Sequence, residues 1–184
     1  MDVITISRQL GSLGSEIAKE VSRRSGFRLV WRDLINQAAM RAGAPEVALA
    51  TIDDLGLLGI TPSAAVQRAY ICAVQTVMEE LAREGKVVIV GRAGQMILRG
   101  YPNVLHVKII APVEVRIART AKKQGIMFDA ARAQVEASDA SRRKYLKRYY
   151  GVNWEDMNLY DLTINTVRLN VQAASELICA CLAQ

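Results

Sequence analysis

The 184-residue chain contains one histidine, three cysteines and four prolines, and aromatic residues make up 5% of it. The lone histidine, His106, lies inside an apolar strand-like stretch, so it reads as a core residue, and neither Ser-His-Asp nor Cys-His catalysis is expected. Cys72, Cys179 and Cys181 are an odd set whose spacing fits neither a zinc site nor a disulfide framework; a reduced, cytoplasmic setting is expected. No stretch approaches the roughly 18 uninterrupted apolar residues of a membrane span. The segment Met1 to Ser7 also lacks the basic and apolar regions of a secretory signal, so no membrane partner is expected. Without repeats or low-complexity segments, and with 12 glycines, the chain is neither collagen-like nor disordered.

What is present is ordinary globular composition, 51% hydrophobic and 23% charged, at a length that fits a single domain over 1–184. Such a domain buries roughly 70% of its unfolded surface and needs neither disulfide nor metal to fold. Lys and Arg number 24 against 18 Asp and Glu, a surplus of +6 that favours phosphate-bearing partners without choosing among them.

Along the chain, the β-branched run Val3-Ile4-Thr5-Ile6-Ser7 enters a glycine loop, Arg8 to Gly14, and a helix opens at Ser15 and stops near Gly26. A short strand at Arg28 to Val30 leads to a helix from Asp33 to about Arg41, an acidic piece around Asp53 and Asp54, and a long helix after Thr61-Pro62. Lys86 to Val90 is an unbroken apolar strand of the kind covered on both faces, and it ends at Gly91-Arg92-Ala93-Gly94. A strand at Val104 to Ile110, a helix from Pro112 to Lys123, a basic helix from about Phe128 to Tyr150, a strand at Leu162 to Ile164 and a terminal helix from Val171 complete the pattern. Alternating strands and helices predict a three-layer α/β/α fold on a parallel sheet, with ligands at the strands' carboxyl ends. The basic helix, about 128–150, reads as a helical lid within the single domain. Met40, Met78 and Met96 read as core filler.

A glycine loop between a strand and a helix suits phosphate, because free N–H groups and the helix N-terminus face the same anion. Here Gly11, Ser12, Gly14 and Ser15 supply the loop, and Arg8 adds a fixed positive charge. The strict G-x-x-x-x-G-K-[S/T] pattern is absent, since Gly14 stands where its Lys would be; Ser15 keeps the hydroxyl that can meet Mg2+. Shaping a tight turn is the competing explanation for both glycines. Arg92, after Gly91, and Arg32, after the second strand, are placed to clamp a phosphate, or are surface arginines beside turns. Asp139, Arg142 and Arg143 fall at i, i+3 and i+4 on one helix face, where arginines can neutralise a transferring phosphoryl group and Asp139 can orient Arg142. A solvated basic face is the bland alternative. Tyr145, Tyr149 and Tyr150 as RNA stacking platforms, or Gly11 to Gly14 as a GXXG clamp, rank last, since that clamp joins two helices.

Taken together, Ile4-Thr5-Ile6-Ser7-Arg8-Gln9 with Gly11-Ser12, Val88 to Arg92, Asn103 to Pro112, and Tyr160 to Thr166 resemble the cytidylate kinase-like proteins, relatives of the nucleoside monophosphate kinases. The resemblance implies a five-stranded parallel sheet, ATP and Mg2+ at the first loop and a small nucleotide acceptor beside it. Arg8, Gly11, Ser12, Gly14 and Ser15 would hold the donor phosphates, Arg32, Gly91 and Arg92 the acceptor's phosphate, and Asp139, Arg142 and Arg143 would belong to the lid. Asp161 matches the family's last-strand Asp. Leu13 stands where that branch usually has a third glycine, Trp31 where it commonly has an Asp, and Ala93 where cytidylate kinases proper carry a base-contacting Asp. The leading function is ATP-dependent phosphoryl transfer to a nucleoside monophosphate or similar acceptor, and the second is a nucleotide-binding protein without turnover. Small-molecule nucleotides are the expected partners; nucleic acid is disfavoured and a homo-oligomer is left open.

Overall fold

A computed structural model describes residues 1–31, Asn36, Met40 and 64–183. The expected helix from Asp33, the acidic piece at Asp53-Asp54 and the side chain of Arg32 lie outside the described residues. Five strands form one parallel sheet: β1 (Val3–Arg8), β2 (Arg28–Val30), β3 (Val87–Val90), β4 (Val104–Ile110) and β5 (Leu162–Asn165), ordered β2-β3-β1-β4-β5. β1 sits centrally, with Val3 opposite both Val87 and Val104. The helices are α1 (Gly14–Ser25), α2 (Ala64–Glu84), α3 (Gly94–Ile97), α4 (Val113–Gln124), α5 (Phe128–Tyr150) and α6 (Val171–Ala180).

The unbroken apolar run of β3 is explained by helices on both sides, and all four of its residues are buried. Ile4, Ile6, Val88, Val90, Val107 and Ile109 pack beneath α1 and α6, while Val3, Val87, Ile89 and Val104 meet Tyr70, Val74 and Met78 of α2. This is a three-layer α/β/α arrangement. α5 buries Ala131, Val135, Asp139 and Leu146, positions that recur on one side of the helix, and it ends at Gly151 in the left-handed conformation. Its first half joins Ile117 of α4, and its last turns join Trp154 and Leu159. Tyr145 and Tyr150 pack into that second cluster. Their rings, 6.1 Å apart, contact each other, so these two are not laid out as open stacking platforms.

Two details depart from the sequence reading. α3 was not anticipated, because its four residues carry too short a pattern to register as a helix. Met40 is 39% exposed and is not core filler, whereas Met78 is fully buried. One sheet face is also unusually polar: Thr5, Ser7, His106 and Lys108 alternate with the apolar residues of β1 and β4 and are buried.

Candidate active site

β1 and β3 are adjacent, so both glycine loops emerge side by side at the sheet's carboxyl edge, where the connections from β1 and from β3 diverge. Between Arg8 and α1 the chain turns through Gln9 to Leu13. Gln9 anchors this turn to β4: its N–H donates to the Ile109 carbonyl at 3.2 Å and its Oε1 accepts the Ala111 N–H at 3.0 Å. Ser12 is completely buried; its hydroxyl donates to the Gln9 carbonyl at 2.8 Å, and its own carbonyl accepts the Thr166 hydroxyl at 3.0 Å. The side chain of Ser12 therefore fixes the loop's shape. The loop follows a strand and precedes one helix, unlike a GXXG clamp.

The two loop glycines have different reasons to be glycine. Gly11 adopts φ +78°, and a Cβ there would lie 2.5 Å from the Arg116 carbonyl oxygen of α4. Its bare Cα makes room for the α4 backbone, and Gly11 also lines the cavity above the loop. At Gly14 a Cβ would lie 2.4 Å from Cβ of Arg8, so this glycine makes room for the stem of that arginine. Leu13, at φ 63°, takes the left-handed conformation that costs a residue with a Cβ about 1–2 kcal/mol. Its carbonyl accepts the Ile17 N–H at 2.9 Å to start α1, and its side chain packs against the core.

The second loop is more strained. Gly91, Arg92 and Ala93 have φ of 85°, 54° and 54°, three left-handed residues in succession. Non-glycine residues held this way cluster at ligand sites. The turn lets the Ala93 carbonyl accept the Ile97 N–H at 3.1 Å, opening α3, and it buries Arg92 to 8% exposure. The Arg92 guanidinium donates to Asn36 Oδ1 at 2.9 Å and lies 5.9 Å from the Tyr70 ring centre. Arg8 links the two loops, since a Cβ on Gly91 would come within 3.1 Å of Arg8 Nη1.

A cavity of about 170 Å3 lies over the first loop, lined among others by Arg8, Gly14, Ser15, Arg119, Lys123 and Arg142. That volume is below the usual size of a complete small-molecule pocket. The sequence reading missed Arg119 and Lys123. Their signal was there, two cations four apart on the helix after β4, but only the packing of α4 against the loop brings that face to the cavity's rim, where the exposed Lys123 pairs with Glu16. Arg119 also donates to the Thr166 hydroxyl at 2.9 Å and carbonyl at 2.7 Å, so α4, the segment after β5 and the first loop form one unit.

Asp139 does not orient Arg142. It accepts two hydrogen bonds from Arg116, at 2.8 and 3.2 Å, and the two side chains are 9% and 4% exposed. A fully buried guanidinium outcompetes a half-buried neighbour such as Arg142 for a carboxylate, because neither charge of the buried pair can be left unpaired away from water. Arg116 also donates to the carbonyls of Ala111 and Leu10, at 2.9 and 3.4 Å, making the pair a peg between α5, α4 and the glycine loop. Arg142 instead donates to the carbonyl and hydroxyl of Ser138 and lies 5.9 Å from the Trp154 ring centre. Arg143 pairs with Glu155 at 3.1 Å, both about half exposed, and is not among the cavity's lining residues.

Trp154 is held from beneath. Its Nε1 donates to Ser7 Oγ at 3.0 Å, and its carbonyl accepts from Lys108 Nζ at 2.6 Å and from the Tyr160 hydroxyl at 3.0 Å. The Lys108 ammonium lies 4.9 and 4.8 Å from the Trp154 and Tyr160 ring centres. Burial lowers the pKa of Lys108 and pushes that of Tyr160 up to about 12. His106 is a core residue: its Nδ1 lies 2.7 Å from the Thr5 hydroxyl, and burial lowers its pKa although Asp161 opposes this. Asp161 accepts the His106 backbone N–H at 2.7 Å and so ties β5 to β4. A second cavity, about 390 Å3, is lined by Met1, Arg99, Tyr101, His106 and Asp161 among others, and no residue of either glycine loop lines it.

Comparison with known proteins gives a consistent picture. The family model described as "Cytidylate kinase-like family" matches residues 3–168. A cytidylate kinase of Pyrococcus horikoshii is 32% identical over 166 residues, which cover 89% of this chain and 79% of that protein. One from Ignicoccus hospitalis is 27% identical, with 97% of both chains covered. Among solved structures, an uncharacterized protein from Eubacterium ventriosum superposes with a TM-score of 0.78 at 21% identity, covering 100% of this chain and 99% of that one. A shikimate kinase from Bacteroides thetaiotaomicron superposes with a TM-score of 0.56 at 10% identity, covering 99% and 98%. These last two likenesses concern the fold.

Proposed function

The chain belongs to the cytidylate kinase-like family, and from that premise we propose that it transfers a phosphoryl group from ATP to a nucleoside monophosphate or similar small acceptor. The observation that carries this reading is the convergence of Arg8, Arg119, Lys123 and Arg142 on one cavity above the loop between β1 and α1. Lys123 is paired with Glu16, which also lines the cavity, so the three arginines leave the space net positive, and a polyphosphate would offset that charge.

In this reading the first N–H groups of α1 would hold the donor's phosphates, and the Ser15 hydroxyl would be a ligand for the accompanying Mg2+. When bound, Mg2+ would supply neutralisation of phosphate charge. The acceptor's phosphate is held at the second loop by Arg92, whose strained turn fixes the guanidinium before the ligand arrives. Arg142 neutralises charge on the transferring group, and Trp154 sets the starting position of its guanidinium. Catalysis is positioning and electrostatics, with no covalent intermediate. Arg143 is exposed in the described conformation and contributes only if the end of α5 moves inward.

The test measures thermal stabilisation of the full chain by Mg2+–ATP and by each nucleoside monophosphate, followed by ADP release for every pair. Stabilisation by ATP and one monophosphate, with ADP release for that pair, is the expected result. Stabilisation without ADP release for any acceptor supports the binding-protein alternative, which the absence of the loop lysine favours. No stabilisation by any nucleotide overturns both.

A further inference from the structure

We propose that Arg8 replaces the missing loop lysine, supplying the phosphate-facing charge from the strand side of the loop, and that Gly14 is glycine because Arg8 fills the space that a lysine's stem would need. The geometry is reciprocal. A Cβ at position 14 would sit 2.4 Å from Cβ and 2.9 Å from Cγ of Arg8, distances at which both stems cannot coexist. The arginine stem crosses the bare Cα of Gly14, and its Nη1 ends within 3.1 Å of where a Cβ on Gly91 would stand. Gly91 thus has no side chain where the guanidinium arrives, as Gly14 has none where the stem passes. Arg8 also lines the cavity together with Gly14 and Ser15, beside the position at which the lysine of the G-x-x-x-x-G-K pattern would stand.

The position has a chemical consequence. A loop lysine is a point charge on one loop, whereas Arg8 spans both glycine loops and presents a planar fork between the donor site and the second loop. It can donate to a donor phosphate and to the group bound beside Gly91 at the same time. This assigns Arg8 to the junction of the two sites, a role for which a lysine at position 14 is no substitute while Arg8 is present. The inference rests on the proposed reading of the first loop as the donor site.

The experiment compares Mg2+–ATP affinity, by calorimetry, and thermal stability for wild type, Arg8→Gln, Gly14→Lys and the double variant Arg8→Gly/Gly14→Lys, in which the Cβ that lies 2.4 Å from a Cβ at position 14 is also gone, with ADP and AMP as further ligands. Arg8→Gln keeps a stem over Gly14 and removes the charge; it should stay folded and bind ATP roughly tenfold or more weakly, with a smaller loss for AMP. Gly14→Lys alone should unfold at lower temperature and bind ATP weakly, because two stems compete for one space. The double variant should recover both stability and ATP binding, since the lysine then has the room and the task. Arg8→Gln binding ATP as wild type does, or Gly14→Lys folding and binding normally with Arg8 intact, overturns the proposal and leaves the donor-site reading standing. A wild-type protein that binds no adenine nucleotide overturns the donor-site reading, and the proposal with it.

Discussion

The buried pair of Arg116 and Asp139 allows a quantitative prediction that separates two roles for Asp139. Asp139→Ala leaves a guanidinium that is 4% exposed without its carboxylate, and breaking a buried pair from one side costs about 3–5 kcal/mol. For a domain of this size, where each kcal/mol shifts the midpoint by about 2–4 °C, melting should fall by about 6–20 °C. Removing both charges should cost less. In Arg116→Met/Asp139→Leu no charge is stranded, and what is lost is the pairing of the Ala111 and Leu10 carbonyls, about 1 kcal/mol each. The double variant should therefore be more stable than Asp139→Ala, a non-additivity read from urea midpoints at pH 7. Wild-type stability of Asp139→Ala, with loss confined to turnover, would refute the argument and return Asp139 to the role of orienting Arg142.

Gly11→Ala should lower the melting temperature through the clash with the Arg116 carbonyl and the left-handed φ, about 1–2 kcal/mol from the conformation alone; a folded, fully stable Gly11→Ala with impaired ATP binding would place the phosphate at this glycine after all. Arg142→Ala should depress single-turnover rates while ATP affinity changes little, and wild-type rates would remove it from the reaction. Arg143→Ala, whose partner Glu155 is exposed, should change stability by less than about 1 kcal/mol in thermal melts. His106 has a lowered pKa when folded, so the unfolded chain takes up a proton first as pH falls through about 6.5, and stability should decline below that pH. The contribution is at most about 1.4 kcal/mol per pH unit, and His106→Asn should flatten it in urea titrations between pH 7 and 5.5.

The order of elements was legible in the sequence because strand and turn signals are local. Val87 to Val90 is apolar without alternation because helices cover both faces of its strand, and Gly91 ends it because the next backbone step is left-handed. The same local logic placed both glycine loops at strand ends and Arg8, Ser15, Gly91 and Arg92 beside them. Partner choice across the chain was not legible. Asp139 had Arg142 three residues away, yet Arg116, 23 residues back, takes both its oxygens, because α4 buries that guanidinium and leaves it no water. Gly11 and Gly14 look alike in the sequence, and only the approach of α4 to one and of Arg8 to the other gives each its reason. Arg119 and Lys123 were unremarkable cations until packing turned their helix face toward the loop. Sequence periodicity fixes which residues share a face of one element; which face meets which is set by burial and by the cost of an unpaired charge, and those exist only once the elements are packed together.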